Sequence, residues 1–338
     1  MLCYPLSDWA VTRREFITLL GGSALLWPFS ASGQPADRSA RVGFFGGDRS
    51  SPFAATIYQA FLDELQIHGF RNGQNLIVDY RRVEQDLSAL SADAAELVRS
   101  NVNVLVTQGT EPALQAALGA TRTVPIVMMA ANYDPFASGY VRSLARPDGN
   151  VTGVFLRQTE LAEKQTELLW QAFPNRARLG ILWDAVSVDQ FSAAERRAKI
   201  FGLQVHSLKL ENPPYDFEAA FRALAAASTE TLLVLSSPHF QPARARIAQL
   251  AILHRLPTMF IFKTYVEAGG LLSYGADFVA MHRQAATHVA KILKGAKVGD
   301  IPIEQPNRFE FTVNLRTAKA IDIELPPSIL VRADEVIE

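Results

Sequence analysis

The amino-acid sequence predicts an α/β protein of two doubly wound, parallel-sheet lobes joined by a hinge. From Arg41 onward, short runs of β-branched and aromatic residues alternate with helical periodicity, which is typical of βα units around a parallel sheet. A strand-helix-strand pattern at residues 104–129 resembles a second one at 232–260, and each re-enters its second strand through a proline. The turn-forming residues 146–150 separate these two halves.

The individual elements follow from local patterns. Apolar residues at three- to four-residue spacing predict a helix over 53–68, which Gly69 ends. A further helix is expected at 277–293, and a late strand at 309–314. The other predicted strands are short apolar runs, at residues 41–45, 76–80, 102–107, 125–129, 178–183, 203–208, 231–236 and 257–262.

The domain boundaries follow from these turns and crossings. Residues 1–34 are expected to be an export signal. Lobe 1 then takes residues 35–152 and 271–303, because a second crossing near 271–275 returns the chain to it. Lobe 2 takes residues 153–270 and 304–338.

Length and charge limit the possible partners. A chain of 338 residues can bury a large core, and two domains fit this length better than one. The formal net charge is −1, with 33 basic and 34 acidic residues and no basic run. Nucleic acid is therefore not an expected partner.

The N-terminal residues resemble a targeting segment. Arg13 and Arg14 precede an apolar stretch at 16–29, which is too short for a comfortable membrane span, and small residues at 31–33 allow cleavage near Gln34. A twin-arginine signal fits this pattern, and the general secretory route, a membrane anchor or a core helix are the alternatives. The single cysteine, Cys3, lies in this segment, so the mature chain is expected to be periplasmic and without disulfides.

Catalytic and metal-binding motifs are missing from the sequence. The six histidines have no metal-ligand spacing, and neither a G-x-S-x-G elbow nor a Walker A motif occurs. We therefore expect no catalytic residue, no metal and no cofactor. A hydrolase that uses carboxylates stays open as an alternative.

Ligands of doubly wound sheets bind beyond the carboxyl ends of the strands, so the residues there are candidates. Gly109, Thr110 and Glu111 lie where a strand turns into a helix with Pro112 in its first turn, and free backbone N–H groups at such a helix start attract a carboxylate. Thr110 could equally be the N-cap of this helix. We expect the anionic group of a ligand here.

Further candidates lie at other strand ends. Ser50 and Ser51 either cap the helix that follows or present hydroxyls to the ligand. Asp134 either is the N-cap of a helix with Pro135 at its first position or pairs with a ligand ammonium. The remaining candidates are polar or aromatic side chains of the second half, namely Trp183, Ser236, Ser237, Phe240 and Tyr274, with Phe262 as a further ring that could stack on a flat ligand.

Five separated blocks resemble the substrate-binding proteins of bacterial ABC transporters, in the group that includes tryptophan- and tyrosine-binding components. These blocks are RREFITLLGG at 13–22, TRTVPIV at 121–127, SLARPDGNVTG at 143–153, GGLLSYG at 269–275 and PSILVRADEVI at 327–337. The resemblance implies a type I periplasmic binding fold and a small organic solute, with an aromatic amino acid or a related carboxylate as candidates. It also implies hinge closure and an ABC permease as partner, and we expect a monomer. A ligand-sensing module that acts on a membrane receptor is the alternative.

Overall fold

The structure is α/β, with strands gathered into two sheets that helices flank. The computed structural model describes residues 39–83, 87–109 and 111–338, so the expected export signal at 1–34, its cleavage point near Gln34 and Thr110 lie outside the described residues. The strands are β1 (Ala40–Gly46), β2 (Leu76–Arg82), β3 (Val104–Gly109), β4 (Ile126–Ala130), β5 (Val151–Phe155), β6 (Arg178–Asp184), β7 (Gln204–Leu210), β8 (Thr231–Val234), β9 (Thr258–Phe260), β10 (Leu272–Ala276), β11 (Phe309–Asn314) and β12 (Glu335–Ile337). The α-helices are α1 (Pro52–Ile67), α2 (Leu87–Arg99), α3 (Glu111–Ala120), α4 (Gln158–Ala172), α5 (Val188–Ile200), α6 (Phe217–Ala226), α7 (Arg244–Leu253), α8 (Lys263–Glu267), α9 (Phe278–Leu293), α10 (Leu315–Ala320) and α11 (Pro327–Leu330).

The first sheet is parallel and has the strand order β2-β1-β3-β4-β5. Apolar side chains fill both of its faces. Phe44 packs in the cluster beneath α1 and α9, whereas Phe45, the next residue, packs in the cluster beneath α2 and α3. Burial on both faces is what a helix-flanked parallel sheet requires, because neither face is left to water.

The second sheet has the order β12-β11-β10-β9-β8-β6-β7, and only the pair β10–β11 within it is antiparallel. Its two faces are again covered, with Trp183 in the cluster on one side and Leu182 in the cluster on the other. The predicted α/β class, with two mostly parallel sheets and flanking helices, is confirmed.

The repeated strand-helix-strand pattern is present in both sheets. Pro125 immediately precedes β4 and Pro257 immediately precedes β9. Each proline carbonyl accepts a hydrogen bond from the neighbouring strand, from Leu105 N at 2.9 Å and from Leu232 N at 2.8 Å. The two halves therefore use proline in the same structural position, where no ladder donor is needed.

The chain crosses between the sheets at points that differ from the expected boundaries. Residue 152, the expected end of the first segment of lobe 1, falls inside β5 of the first sheet, and β10 belongs to the second sheet although 271–303 was expected in the first lobe. After β10 the chain does return, because α9 packs against α1 and against β3, β4 and β5. Glu304 also pairs with β5 before the chain enters β11. The crossings therefore follow Phe155, Ala276 and Glu304.

Three short strands are absent from the predicted set. β10 lies at residues 272–276, where the sequence predicts only a crossing of the chain. β5 directly follows the turn-forming residues 146–150 and contains Gly153, so its sequence is not distinguished from the preceding turn. β12 has only three residues, too few for a periodic signal.

Candidate functional site

The carboxyl ends of the two sheets meet at Asn132, which follows β4. Its side-chain Oδ1 atom accepts a hydrogen bond from Gln158 Nε2 at 2.6 Å and another from Ser236 Oγ at 3.2 Å. Ser236 follows β8, and Gln158 begins α4 beside the second sheet. Gln190 of α5 holds the backbone of Ser236 from both sides, through Ser236 N at 3.0 Å and Ser236 O at 3.3 Å. Strand ends of the two halves are thus in direct contact.

A buried carboxylate lies next to this contact. Asp184, at the end of β6, has an exposed fraction of 0%. Its Oδ2 atom accepts hydrogen bonds from Ser237 Oγ at 2.5 Å and Tyr215 OH at 3.1 Å, and its Oδ1 atom accepts from Val186 N at 3.1 Å. Burial, and after it the negative charge of Asp184, raises the pKa of Tyr215 to about 12. Ser237 therefore fixes the loop after β8, and its hydroxyl is already engaged with protein.

The helix start after β3 carries its own carboxylate. Gly109 adopts a φ of +85°, which favours glycine, and α3 begins at Glu111. Tyr140 OH donates a hydrogen bond to Glu111 Oε1 at 2.7 Å, and Gln115 Nε2 donates to Tyr140 OH at 2.7 Å. Burial, and after it the charge of Glu111, raises the pKa of nearby Tyr133. A fixed negative charge thus lies beside the helix start where we expect a ligand anion.

Asp134 is committed to a turn. Its Oδ1 atom accepts hydrogen bonds from Phe136 N at 2.8 Å and Ala137 N at 3.0 Å, and the segment that follows is a turn rather than a helix. The sequence predicts a helix N-cap as the alternative, and the structure has an Asp-stabilised turn in its place. The carboxylate is exposed, and its pairing with a ligand ammonium stays a prediction.

Ser50 and Ser51 lie in the loop between β1 and α1. Ser51 occupies the N-cap position of α1, but its side chain makes no capping hydrogen bond. Instead the turn is held by Asp48, whose Oδ1 atom accepts from Ser50 N at 2.9 Å. The expected capping role therefore belongs to neither hydroxyl.

Three of the expected aromatic side chains make packing contacts with other rings or core residues. Phe240 is 0% exposed and lies in the core between α6 and α7. Trp183 stacks on Phe191 of α5 at 4.4 Å between ring centroids, and its Nε1 atom donates to Ser207 Oγ at 2.8 Å. Tyr274 stacks on Phe309 of the neighbouring strand at 6.2 Å. Phe240 and Trp183 are therefore buried by helices of the second half, whereas Tyr274 is half-buried. Contact of these rings with the ligand stays a prediction.

A cavity of about 710 Å³ lies between the two halves of the described chain. From the first half it is lined by the start of α1, at residues 52, 53 and 56, and by the start of α9, at residues 277–279 and 283. From the second half it is lined by residues 261–264, 267 and 268, which leave β9 and form α8, and by Arg244 at the start of α7. Its size falls within the range of small-molecule sites, roughly 300 to 1,000 Å³.

Aromatic rings form one wall of this cavity. Phe278 lies between Phe53 of the first half and Phe262 of the second, with edge-to-face contacts at 5.8 Å and 4.7 Å between ring centroids. Phe262 is the one ring from the sequence prediction that lines the cavity. Phe53 lies two residues after Ser51, a predicted ligand contact. The sequence therefore indicates this region of the chain but not the contribution of the Phe53 ring.

Charged side chains line the rest of the cavity. Arg308 Nε lies 3.5 Å from Asp277 Oδ2, and Arg308 Nη2 lies 3.8 Å from Glu310 Oε1. Burial, and after it the charge of Asp277, raises the pKa of Glu310. Lys263 Nζ contacts Glu335 Oε2 at 2.5 Å, and this ion pair raises the pKa of Lys263. The cavity thus combines apolar rings with ionic groups, which suits a solute that carries both.

Within residues 39–83, 87–109 and 111–338, no group of three or more histidine, cysteine or acidic side chains has the arrangement of a metal site. In the same part of the chain, no helix has the length and apolar character needed to cross a membrane.

Comparison with known proteins identifies the family. The sequence model for ABC transporter substrate binding proteins matches residues 50–337. The chain belongs to this family. Its members are solute-binding proteins and are usually extracellular or periplasmic.

Individual relatives of this binding protein span most of its length. The tyrosine-binding protein of Clostridioides difficile (strain R20291) is 25% identical over 285 residues, which are 79% of this chain and 76% of that protein. The ABC domain from Streptococcus pneumonia, solved in complex with L-Trp, has a TM-score of 0.77 and 26% identity, and covers 89% of this chain and 100% of its own. A conserved domain protein from Vibrio cholerae has a TM-score of 0.79 and 25% identity, with 88% and 100% covered.

Proposed function

We propose that this protein is the periplasmic solute-binding component of an ABC importer, and that it captures an aromatic amino acid or a related carboxylate between its two halves. The cavity lined by Phe53, Phe262 and Phe278 is the observation that carries this proposal. Its rings offer edges and faces to a flat solute, and each favourable aromatic pair contributes about 0.5–1.5 kcal/mol beyond area burial. The family and the tyrosine- and tryptophan-binding relatives support the same solute class.

Binding proceeds by hinge closure. Both halves contribute lining residues, so a solute in the cavity contacts both only when they are close together. The solute then stabilises the closed state by its higher affinity for that state. The crossings after Phe155, Ala276 and Glu304 are the hinge in this proposal.

The proposed function also includes export of the precursor and delivery of the solute to a permease. The twin-arginine-like residues 13–14 direct the precursor out of the cytoplasm, cleavage occurs near Gln34, and the closed monomer delivers its solute to an ABC permease of the inner membrane. Several described residues expected from the strand ends are not in the lining of this cavity, namely Ser50, Ser51, Gly109, Glu111, Ser236 and Ser237. No contact with the solute carboxylate is assigned to them or to Thr110 in this proposal.

Isothermal titration calorimetry of the purified protein tests the binding role. The panel contains the twenty amino acids, aromatic carboxylates, sugars and short peptides, and we expect saturable binding of at least one aromatic compound. Phe53→Ala should weaken that binding at least tenfold, whereas Phe136→Ala is the matched control, since Phe136 is 56% exposed in a turn away from the cavity. Absence of binding across every class contradicts the proposal.

A further inference from the structure

The carboxylates of the cavity are already paired with cations of the protein. Asp277 and Glu310 both face Arg308, at 3.5 Å and 3.8 Å. Glu267 Oε1 lies 3.7 Å from Lys263 Nζ. Asp277 Oδ1 also accepts a hydrogen bond from Ala280 N at 3.0 Å, as the N-cap of α9. A solute ammonium in this cavity would have to compete with Arg308 or Lys263 for each of these acceptors.

Two arginine side chains that line the same cavity are not paired with a carboxylate of the described residues. Arg244 is half-buried at the start of α7, and its Nη1 atom donates to Gln241 O at 3.2 Å. Arg283 is exposed on the second turn of α9. Neither arginine forms an ion pair with any of the residues that the structure describes, although both line the cavity.

These two arginines come from opposite halves. Arg283 lies on α9, which packs against the first sheet, and Arg244 lies on α7, which packs in the core of the second. Closure of the halves brings two positive charges towards one cavity, which is unfavourable until an anion neutralises them. A guanidinium also binds a carboxylate with paired N–H donors, which gives direction as well as charge.

We infer that the cavity selects a solute with an aromatic body and a carboxylate, that Arg244 and Arg283 receive this carboxylate, and that no α-ammonium is required. This inference rests on the proposed function, because it concerns the same cavity. It places the anion-binding charge on two helices and away from the helix start at Glu111, where Tyr140 already contacts a protein carboxylate.

Three indole compounds that differ in charge test the inference by calorimetry. Indole-3-propionate has the carboxylate alone, L-tryptophan has carboxylate and ammonium, and tryptamine has the ammonium alone. We expect indole-3-propionate to bind at least as tightly as L-tryptophan and tryptamine to bind at least a hundredfold more weakly. Tryptophan binding ten times tighter than indole-3-propionate overturns the inference and leaves the binding role intact.

Arginine variants locate the carboxylate. Arg244→Gln and Arg283→Gln should each weaken indole-3-propionate binding at least tenfold while leaving tryptamine unaffected. Arg246→Gln is the matched control on α7, because Arg246 pairs with Glu218 and does not line the cavity, and Lys291→Gln is the control on α9. Unchanged affinity in both arginine variants overturns the inference, and a protein that binds only sugars or peptides overturns it as well. Absence of binding to every compound in the larger panel overturns the proposed function too.

Discussion

The hydroxyl of Ser236 donates a hydrogen bond to Asn132 Oδ1 at 3.2 Å, and this bond joins the carboxyl end of β8 to the carboxyl end of β4. Because the two strands belong to different sheets, the bond connects the two halves of the molecule. Gln158 donates to the same oxygen at 2.6 Å, so Asn132 anchors two elements of the second half. The contact joins the halves outside the lining of the aromatic cavity, so its effect on a solute would be through closure.

Removal of this bond should disfavour closure. Ser236→Ala and Asn132→Ala should each weaken solute binding by up to about tenfold, since a buried hydrogen bond contributes about 0.5–1.5 kcal/mol net. Calorimetry of a double-mutant cycle measures the coupling, and Ser192→Ala is the control because the Ser192 hydroxyl bonds within its own helix. Strict additivity of the two single effects contradicts a direct contribution of this bond to closure.

The buried carboxylate of Asp184 should be important for stability. Asp184→Asn places an amide N–H₂ group opposite the hydroxyls of Ser237 or Tyr215, which now donate to Oδ2. We expect the free energy of unfolding in urea to fall by about 1.5–3 kcal/mol, the contribution typical of hydrogen bonds to a charged group. Asp189→Asn, an exposed change in the first turn of α5, should have little effect. Equal losses in both variants would show that the hydrogen bonds of Asp184 are unimportant.

Acid should destabilise the protein through His282. Burial lowers the pKa of His282 from 6.5 to about 4, and its Nδ1 atom lies 2.7 Å from Phe278 O. Its buried Nε2 atom has no hydrogen-bond partner among the described residues. Because the folded state resists protonation, the stability contribution is complete above pH 6.5 and is lost as the pH falls towards 4. At about 1.4 kcal/mol per pKa unit, the loss approaches about 3 kcal/mol.

Urea unfolding at several pH values checks this dependence. His282→Leu should flatten the decline in the free energy of unfolding between pH 6.5 and 4, whereas the control His206→Gln on β7 should retain it. The same decline in His282→Leu as in the unmodified protein would assign the acid sensitivity to other groups.

The backbone around the cavity should tolerate no side chain at Gly275. A Cβ atom there would lie 1.9 Å from Ile261 O, a backbone atom that cannot move without disturbing the segment after β9. Gly275→Ala should therefore lower the free energy of unfolding by more than about 3 kcal/mol, in the range of severe packing changes. Gly119→Ala, in a helix with open space around the glycine, should be neutral or stabilising by up to about 1 kcal/mol. A thermal melt of each variant distinguishes these outcomes.

The sequence predicts the strands and the way they repeat, because their signals are local. Pro125 and Pro257 mark equivalent strand starts, and Asn132 and Ser236 each follow the carboxyl end of a strand, β4 and β8 respectively. Parallel strands bring such ends to one edge of each sheet, so their proximity follows from topology.

The direction of a side chain at a strand end is not a local property. Trp183 and Phe262 both lie at strand ends, but α5 covers the first and the cavity borders the second. Arg244 and Arg283 lie on helices, where an arginine pattern resembles an ordinary solvated face. Their role depends on the packing of α7 and α9 from opposite halves, which local periodicity does not encode.

A crystal structure of the purified protein with the tightest-binding aromatic acid would show where the solute lies. We expect the aromatic ring of the solute within about 4.5 Å of Phe278, with its carboxylate against Arg244 or Arg283. A solute bound outside this cavity, with its carboxylate at the helix start beside Gly109, would contradict this expectation.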